Sequence, residues 1–332
     1  MATPTERDHF IFLGTGTSSC VPNIHCLTES VPDCQVCISA NTPVFEPLPP
    51  NYYRDCDDTT MPVGDAGPPR LRYSKNRRRN TSGVYRYLHS DGNFRNVVID
   101  AGKTFYSAVL EHFVYYKLRK IDALLLTHLH ADAILGLDDL RQFTLKGIVQ
   151  DSISVYCSRD TFEAVKTAFP YLTKSSEATG SGLVPSIQWN IFDGQFVLFD
   201  ELTVSPLSVH HGLGKDGVTP FICWGFRIRD LGYISDASFI PEETRDLIRG
   251  CAVLILDSLS DSIKDVGLLS HFSVSQAIEE ILLLDTLERA YLTGFCHSLD
   301  HESVNEMLKA ESRLQEQGLR VRAAFDGLLL EL

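Results

Sequence analysis

The pattern of apolar and polar positions predicts strands and helices that alternate along much of the chain. Short apolar or alternating runs predict strands at residues 9–13, 84–89, 96–99, 122–127, 152–156, 222–228, 231–235, 253–256, 289–293 and 328–330, with several more within 183–209. Apolar residues at helical spacing predict helices at 104–117, 137–145, 159–169, 241–248, 273–284 and 302–317. Both halves begin with strands and then alternate, which favours two facing β-sheets with helices outside them.

Residues 20–80 do not follow this pattern. They contain three cysteines close together (Cys26, Cys34 and Cys37), the proline-rich stretch PVFEPLPP and the acidic stretch DCDD. We therefore expect one domain over residues 1–332 with an irregular, cysteine-containing surface insertion at about 20–80.

Composition narrows the class of protein. Hydrophobic residues make up 44% and charged residues 22%, which is ordinary for a globular chain that buries a core. The formal net charge of −13 disfavours an extended nucleic-acid partner and favours a small substrate. The nine cysteines are odd in number and the first residues lack an apolar signal segment, so we expect thiols in a reducing, cytoplasmic compartment. No apolar run approaches the length needed to span a membrane.

The clearest chemical pattern is the run Thr127-His128-Leu129-His130-Ala131-Asp132, which directly follows a predicted strand. His128 and His130 alternate along an extended segment, so their side chains point to the same side. Imidazole and carboxylate groups are ligands that suit zinc, manganese or iron. The run therefore predicts a divalent metal site, although two histidines at a strand end can also be simple polar residues.

Other strand ends carry further candidate ligands. Asp100 and Asp236 each follow an apolar strand, and His210 lies beside His211. Because adjacent strand residues point to opposite faces, at most one of these two histidines can enter a shared site. Each residue alone is typical of a cap or a turn, but the repetition of an apolar strand followed by a ligand-type residue predicts one common site.

Taken together, these motifs resemble the metallo-β-lactamase superfamily. Within it, they are most similar to the branch that contains the cyclic phosphodiesterase of the carbon–phosphorus lyase pathway and tRNase Z. The matching stretches span residues 12–327 and read FLGTGTSSCVP, RRRNTS, VVIDAG, THLHADAILGLDDLR, SPLSVHHG, YISDAS, LDSLS, SHFS, LTGFCHSLDH and FDG. The resemblance implies an α/β fold, the four-layer αββα sandwich of that superfamily.

The resemblance also implies roles for individual residues. A first catalytic ion, zinc or manganese, would be held by His128, His130, His211 and Asp236. His211 is preferred to its neighbour because it precedes Gly212, as in the family pattern. Asp132 would face a second ion and Asp100 would orient a ligand histidine. His271 would contact phosphate or protonate the leaving oxygen.

The chain departs from the superfamily pattern at two positions. Ala133 and Gly294 stand where most relatives carry histidines, and both histidines belong to the second metal. The departures favour either a mononuclear enzyme or a weak second site held by Asp132, Asp236 and waters. A protein that binds ligand or metal without catalysis is a further alternative.

A second metal site is implied by the cysteines of the insertion. The related phosphodiesterase builds a structural zinc site from clustered cysteines and a late histidine, which correspond to Cys26, Cys34, Cys37 and His297. Three thiolates and one imidazole suit tetrahedral zinc. Cys20 and Cys296 are possible substitute ligands, and free loop thiols are the alternative to a zinc site.

A basic run precedes the stretch Asn80-Thr81-Ser82. Its members are Arg70, Arg72, Lys75, Arg77, Arg78 and Arg79. Guanidinium groups pair with phosphate through two hydrogen bonds, and the resemblance favours a place near the metal site. We therefore expect Arg77, Arg78 and Arg79 to bind substrate phosphate together with His271, with a solvated loop as the alternative reading.

The resulting hypothesis is a metal-dependent hydrolase that cleaves a small phosphate ester. The expected substrate is a cyclic nucleotide or a ribosyl phosphate diester, attacked by metal-activated water while His271 assists the leaving group. A thioester or lactone hydrolase on the same fold is the principal alternative. We expect no membrane partner, and the oligomeric state stays open, a homodimer included.

Overall fold

The computed structural model describes residues 7–43, 52–55, 73–179, 183–261 and 270–332. Within them, fourteen strands form two sheets of seven strands each. The strands are β1 His9–Gly14, β2 Ser82–Leu88, β3 Phe94–Ile99, β4 Ala123–Leu125, β5 Ile153–Cys157, β6 Ile187–Ile191, β7 Phe196–Leu198, β8 Leu202–Leu213, β9 Pro220–Ile228, β10 Leu231–Ile234, β11 Val253–Asp257, β12 Arg289–Thr293, β13 Arg320–Ala323 and β14 Leu329–Glu331.

The two sheets have similar topologies. The first is ordered β14-β1-β2-β3-β4-β5-β6 and the second β13-β12-β11-β10-β9-β8-β7. Strands β3 to β6 run parallel in the first sheet, and β10 to β13 run parallel in the second. Antiparallel strands complete each sheet, including the predicted pairs β2–β3 and β9–β10.

Helices lie between the strands in sequence. They are α1 Ile24–Thr28, α2 Gln35–Asn41, α3 Phe105–Tyr116, α4 Ala131–Ile134, α5 Arg141–Thr144, α6 Arg159–Ala168, α7 Pro170–Thr173, α8 Glu242–Ile248, α9 Val274–Leu282, α10 His301–Ala310 and α11 Ser312–Glu316. Short 3-10 helices occupy Leu137–Leu140, Leu145–Gly147 and Ser175–Glu177. No helix in the described ranges is long and apolar enough to cross a membrane.

Alternate strand residues pack on opposite faces of the sheets, which builds three apolar layers. In β1, Phe10 and Phe12 join a cluster that both sheets share, whereas Ile11 and Leu13 pack on the side of α3. The outer face of the second sheet packs against α9 and α10. Strands that are buried on both faces are almost wholly apolar, which explains the unbroken apolar runs. The predicted four-layer αββα sandwich is therefore confirmed.

Local structure differs from the sequence expectation at several places. The expected helix over 302–317 is two helices, because Glu311 leaves the helical conformation with ψ 105°. The expected helix over 137–145 begins as a 3-10 turn, and Pro241 precedes α8 instead of starting it. The insertion contains α1 and α2, which are too short to show helical periodicity in the sequence. Residues 44–51 and 56–72 of the insertion lie outside the described ranges.

The fold brings the carboxyl ends of several strands together. Strands β3 and β4 are parallel neighbours, and so are β10 and β11, so each pair ends at the same edge of its sheet. The two edges are joined across the sandwich where the backbone N–H of Trp224 donates to the carbonyl of Thr127 at 2.9 Å. Residues that follow these strands therefore face one shared space.

Candidate metal centre

Three histidines meet at this shared edge. His128 and His130 follow β4, and His211 lies near the end of β8. One ring nitrogen from each lies within 4.8 Å of those of the other two. The ring of Phe221 stacks on His130 with centroids 4.7 Å apart and gives the cluster an apolar wall. The arrangement brings together the histidines that the sequence singled out as ligands of one ion.

A hydrogen-bond relay orients His128. Asp100 is buried at the end of β3, and its two carboxylate oxygens accept hydrogen bonds from the backbone N–H and the hydroxyl of Thr127, both at 2.8 Å. Since the hydroxyl proton of Thr127 is used in this way, its oxygen accepts from His128 Nδ1 at 2.8 Å. Nε2 of His128 then carries the free lone pair. Asp100 thus acts on the histidine through Thr127, a residue that the sequence reading did not identify.

The two adjacent histidines of β8 have different surroundings. His211 is buried, and its Nδ1 donates to the carbonyl oxygen of Ser270 at 2.7 Å, which leaves Nε2 free for a ligand role. His210 faces the other side of the strand, where its ring lies 5.2 Å from that of Phe239. Of the pair, His211 is therefore the residue that enters the cluster.

Two carboxylates complete the first group of candidate ligands. Burial alone would raise the pKa of Asp236, but His128, His211 and His271 hold it at about 2. Burial raises the pKa of Asp132 to about 6, and the negative charge of Asp236 acts in the same direction. The two acids therefore compete for protons, as expected for carboxylates that share one site.

Several buried polar atoms at this edge have no hydrogen-bond partner among the described residues. They are His128 Nε2, Asp132 Oδ1, Asp236 Oδ2 and Asp257 Oδ1. An unpaired buried polar group costs about 1–3 kcal/mol, so several in one place call for a compensating ligand. Imidazole nitrogens and carboxylate oxygens together fit a divalent ion such as zinc, manganese or iron. The residues present thus fit the predicted metal.

His271 lies inside this site. A ring nitrogen of His271 and ligand atoms of His211 and Asp236 lie within 4.8 Å of one another. Nδ1 of His271 donates to Asp257 Oδ2 at 2.8 Å and lies 3.8 Å from Asp236 Oδ1. Burial disfavours the imidazolium, yet the carboxylates, Asp257 foremost, raise the pKa of His271 to about 9. Asp257 was missed in the sequence, although it ends an apolar strand in the same way as Asp100 and Asp236.

Neither of the two departures from the family pattern supplies a side-chain ligand. Ala133 is buried, and its backbone N–H and carbonyl bond to His130 and Ala101. Gly294 adopts a φ of +81°, a conformation that favours glycine. Neither position therefore offers a side chain to a second ion.

The predicted structural zinc ligands form a second cluster. The ligand atoms of Cys26, Cys34, Cys37 and His297 lie within 4.8 Å of one another. Nδ1 of His297 is 3.3 Å from the sulfur of Cys26 and 3.7 Å from that of Cys34. Burial raises the pKa of Cys37 to about 12, so without a metal this thiol stays protonated.

The two possible substitute thiols have partners elsewhere. Cys20 accepts a hydrogen bond from Asn80, and the sulfur of Cys296 lies 3.0 Å from the hydroxyl of Ser298. Neither belongs to the four-residue cluster.

The structure contradicts the expected role of two arginines. Arg78 is fully buried and donates to the carbonyl oxygens of Cys296 and Leu299 at 2.9 and 2.8 Å. Arg79 is also buried, and its guanidinium forms ion pairs with Glu111 and Asp326. Both side chains tie the insertion to the rest of the fold, so their donors are not available to a phosphate.

The other members of the basic run differ from these two. Arg77 is half-buried, with its guanidinium 3.5 Å from the ring centre of Tyr73, and Lys75 pairs with Glu302. Arg70 and Arg72 lie outside the described residues. A phosphate role for Arg77 stays a prediction.

Comparison with known proteins identifies the family. Residues 95–295 match the family model described as the beta-lactamase superfamily domain. A crystal structure of a new diphosphatase from the PhnP family is 25% identical, covers 98% of both chains and superposes with a TM-score of 0.69. Two further crystal structures share the fold. Zn²⁺-bound PqqB from Methylobacterium extorquens is 17% identical, with 98% of this chain and 100% of that chain covered and a TM-score of 0.66. The short form of human tRNase Z is 15% identical, with 97% of this chain and 98% of that chain covered and a TM-score of 0.54.

A curated relative extends the comparison. The octanoyltransferase of Porphyromonas gingivalis is 23% identical over 321 residues, which is 94% of this chain and 53% of the relative. The chain thus spans about half the length of that protein. The chain belongs to the beta-lactamase superfamily, and the resemblance to its PhnP-family diphosphatase is confirmed, while tRNase Z shares the fold. The superfamily and these neighbours indicate a metal-dependent hydrolase.

Proposed function

We propose that this member of the beta-lactamase superfamily hydrolyses a small phosphodiester, such as a cyclic nucleotide or a ribosyl phosphate ester. One observation carries the proposal: a His128, His130, His211 and Asp236 cluster lies directly beside an imidazole, His271, that is hydrogen-bonded to a buried carboxylate. The likeness to a diphosphatase over 98% of both chains supports phosphate chemistry.

The metal chemistry follows from the residues present. When bound, a divalent ion lowers the pKa of water toward neutrality and polarises a phosphoryl oxygen. His128 and His211 would present Nε2 to it, because their Nδ1 atoms are fixed by Thr127 and Ser270. The buried Asp236 would supply the balancing negative charge.

His271 would act on the leaving group. Its Nδ1 is held by Asp257 at 2.8 Å, so Nε2 is the atom left to face a substrate. Burial disfavours the imidazolium, but the carboxylates, Asp257 foremost, raise the pKa of His271 to about 9, which favours a protonated ring that can donate to the departing oxygen. This assigns His271 to acid catalysis and Asp236 to the metal.

We propose one tightly held catalytic ion. Position 133 is alanine and position 294 is glycine, so a second ion would have Asp132, Asp236 and water as its ligands. Such a site would bind an ion weakly, since it lacks both histidines. The pattern therefore favours a mononuclear enzyme.

We also propose a structural zinc at Cys26, Cys34, Cys37 and His297, held apart from the catalytic ion. In our proposal the chain acts as a single domain of residues 1–332 on a small phosphate ester in the cytoplasm, without extended nucleic acid. A homodimer is compatible with this function.

Hydrolysis of bis(p-nitrophenyl) phosphate tests the proposal. The wild-type protein should release p-nitrophenol, and His130→Ala should abolish the activity because it removes a ligand. His210→Ala is the matched control, since its side chain faces the other side of the same strand as His211. Equal activity in wild type and His130→Ala would show that the diesterase does not use this cluster.

The principal alternative is a thioester hydrolase with the same metal. The relative named as an octanoyltransferase favours including an acyl substrate in the test, although this chain spans only about half of that protein. Hydrolysis of S-octanoyl-N-acetylcysteamine without any diesterase activity would replace the phosphodiesterase proposal. Purified protein that holds no transition metal beyond the cysteine-bound zinc would indicate a binding protein instead.

A further inference from the structure

The three histidines of the proposed catalytic site are held in two different ways. Nδ1 of His128 is hydrogen-bonded to the hydroxyl of Thr127, and that of His211 to a backbone carbonyl oxygen. The half-buried His130 makes no side-chain hydrogen bond to any of the described residues. An imidazole that is oriented in advance binds an ion more tightly, because less freedom is lost on binding. Packing must therefore provide the orientation of His130.

The ring of Phe221 supplies this packing. It lies almost parallel to the imidazole of His130, with ring centres 4.7 Å apart and planes inclined by 9°. At this separation parallel rings are offset, which is a preferred arrangement for aromatic pairs. The same ring is steeply inclined to His128 and His211, by 73° and 59°, with centres 6.3 and 5.9 Å away. Among the three histidines, Phe221 thus presents its flat face to His130.

A β-bulge places Phe221 on the metal side of its strand. The register between β8 and β9 shifts after His210, so that His211 and Gly212 of β8 lie opposite the single residue Phe221 of β9. Gly212 adopts a φ of +73°, a left-handed conformation that favours glycine. The bulge therefore turns one histidine ligand and the ring that supports another toward the same space.

The hairpin that carries Phe221 is closed by its own hydrogen bonds. The carboxylate of Asp216 accepts from the backbone N–H groups of Val218 and Thr219 at 3.0 and 2.9 Å. Pro220 follows directly, and its ring fixes the backbone angle φ at the first residue of β9. The loop and the strand therefore hold Phe221 in place without help from an ion.

From this geometry we infer that Phe221 is a positioning residue that holds His130 in its ligand orientation by ring stacking; the inference rests on the proposed catalytic metal site. The stacked ring restricts rotation of the imidazole, as the hydrogen bonds do for His128 and His211. When an ion is bound, the imidazole shares part of its positive charge, and an aromatic face attracts positive charge within about 6 Å. Stacking therefore stabilises the ion-bound state more than the free one.

A direct measurement of zinc affinity tests this role. The wild-type chain should bind two zinc ions, and the ion that His130→Ala loses identifies the catalytic one. Phe221→Ala should weaken the binding of that ion about 10-fold in competition with a chromogenic chelator, the low end for residues that support a metal ligand. The melting temperature should change little, because the side chain of Phe221 is only half-buried.

Two further substitutions separate ring stacking from simple apolar cover. Phe221→Tyr keeps the flat ring and should bind zinc as tightly as the wild type. Phe221→Leu keeps an apolar side chain without a flat face, so its zinc affinity should fall to that of Phe221→Ala. Ile222→Ala is the matched control, because this residue is 37% exposed and its side chain points to the opposite face of β9.

Kinetics at saturating zinc show whether the ring acts through the ion. Phe221→Ala should then regain most of the wild-type kcat for bis(p-nitrophenyl) phosphate, with KM unchanged, because the ligand set is complete again. A KM that stays raised at saturating zinc would mean that the ring contacts the substrate instead, and it would overturn the positioning role.

The outcomes separate the inference from the proposed function. Equal zinc affinity in Phe221→Ala and the wild type overturns the inference, and so does a Phe221→Leu variant that binds zinc as tightly as Phe221→Tyr. A wild type that binds zinc only at the cysteine cluster rejects the catalytic ion, and with it both the inference and the proposed function. The expected order of affinities without any hydrolysis of the diester supports the positioning role and rejects the phosphodiesterase proposal alone.

Discussion

The two clusters of candidate metal ligands, the proposed catalytic cluster and the cysteine cluster, are built in different ways. In the catalytic cluster, His128, His211 and Asp236 come from three distant strand ends. In the cysteine cluster, Cys26, Cys34 and Cys37 come from one short stretch of chain, and only His297 is distant. The first set is placed by two sheets, and the second by α1 and α2, which are five and seven residues long.

This difference in construction predicts a different role for the metal ion in each cluster. Helices of one or two turns are unstable alone, and neither α1 nor α2 has a side-chain cap, so the cysteine region depends on its ligand bonds. The histidines are already held by Thr127 and Ser270 and by the sheets behind them. We therefore expect the catalytic ion to be needed for activity and the cysteine-bound zinc for stability.

The largest expected effect is the loss of activity when the catalytic cluster is altered. Asp236→Asn removes a negative charge without changing size, and it should lower kcat/KM for bis(p-nitrophenyl) phosphate about 1000-fold, since a metal contributes several kcal/mol. The melting temperature should change little. Asp230→Asn, on an exposed turn between β9 and β10, is the control. A large fall in melting temperature for Asp236→Asn would contradict the contrast between the two clusters.

The cysteine cluster should show the opposite behaviour. Cys37→Ser removes a buried ligand and should lower the free energy of unfolding by about 4 kcal/mol, as losses of structural metals do. Zinc content should fall by one ion per chain while activity per folded molecule is retained. Cys296→Ser is the matched control, because this thiol lies outside the cluster. Unchanged zinc content in Cys37→Ser would remove the structural site from the proposal.

Arg78 provides a further test of the role of the cysteine cluster in stability. Arg78→Met leaves the carbonyl oxygens of Cys296 and Leu299 without their donor, on either side of the zinc ligand His297. Breaking such a buried polar network should lower the free energy of unfolding by about 3 kcal/mol and speed zinc release to a chromogenic chelator. The half-buried Arg77→Met should have little effect on either measurement. If Arg78→Met instead raised KM for bis(p-nitrophenyl) phosphate and left the free energy of unfolding unchanged, the prediction that Arg78 binds substrate phosphate would be restored.

The smallest expected effect is a pH dependence of stability. Burial lowers the pKa of His301, at the start of α10, to about 3. Because the unfolded chain binds this proton near pH 6.5 and the folded one does not, stability is complete above pH 6.5 and falls as the pH drops toward 3. Between pH 7.5 and pH 5 this difference in proton binding lowers the free energy of unfolding by about 2 kcal/mol. His301→Gln should flatten the urea-unfolding profile by this amount, and an unchanged slope would contradict the assignment.

The candidate ligands at strand ends could be predicted because the pattern that marks them lies within a few consecutive residues. His128 and Asp236 each follow an apolar run, and a parallel sheet brings such positions to one edge. Asp257 obeys the same rule and lies in the matching stretch LDSLS, but it was given no role because its partner, His271, comes from a separate segment. Thr127 was not singled out because a threonine hydroxyl is not a usual zinc ligand.

Arg78 and Arg79 show where a prediction from the local sequence was wrong. A run of guanidinium groups resembles an exposed phosphate site, yet Arg78 and Arg79 are buried by contacts with residues more than 200 positions away. Charge in a sequence does not reveal burial, because the partners that make burial tolerable come from elsewhere in the fold. The break at Glu311 was not predicted either, since helical periodicity continues through it.

The sequence by itself determined the order of the strands and of the longer helices, the superfamily, the candidate histidine and aspartate ligands, and the cysteine knuckle. Those features depend on residue type, spacing and alternation along short segments. Tertiary structure alone decided that Arg78 is buried, that Asp257 holds His271, and that Gly294 leaves room for that carboxylate. Each of these is a contact between distant segments, and its distance is set by how two sheets pack, which no single stretch of sequence encodes.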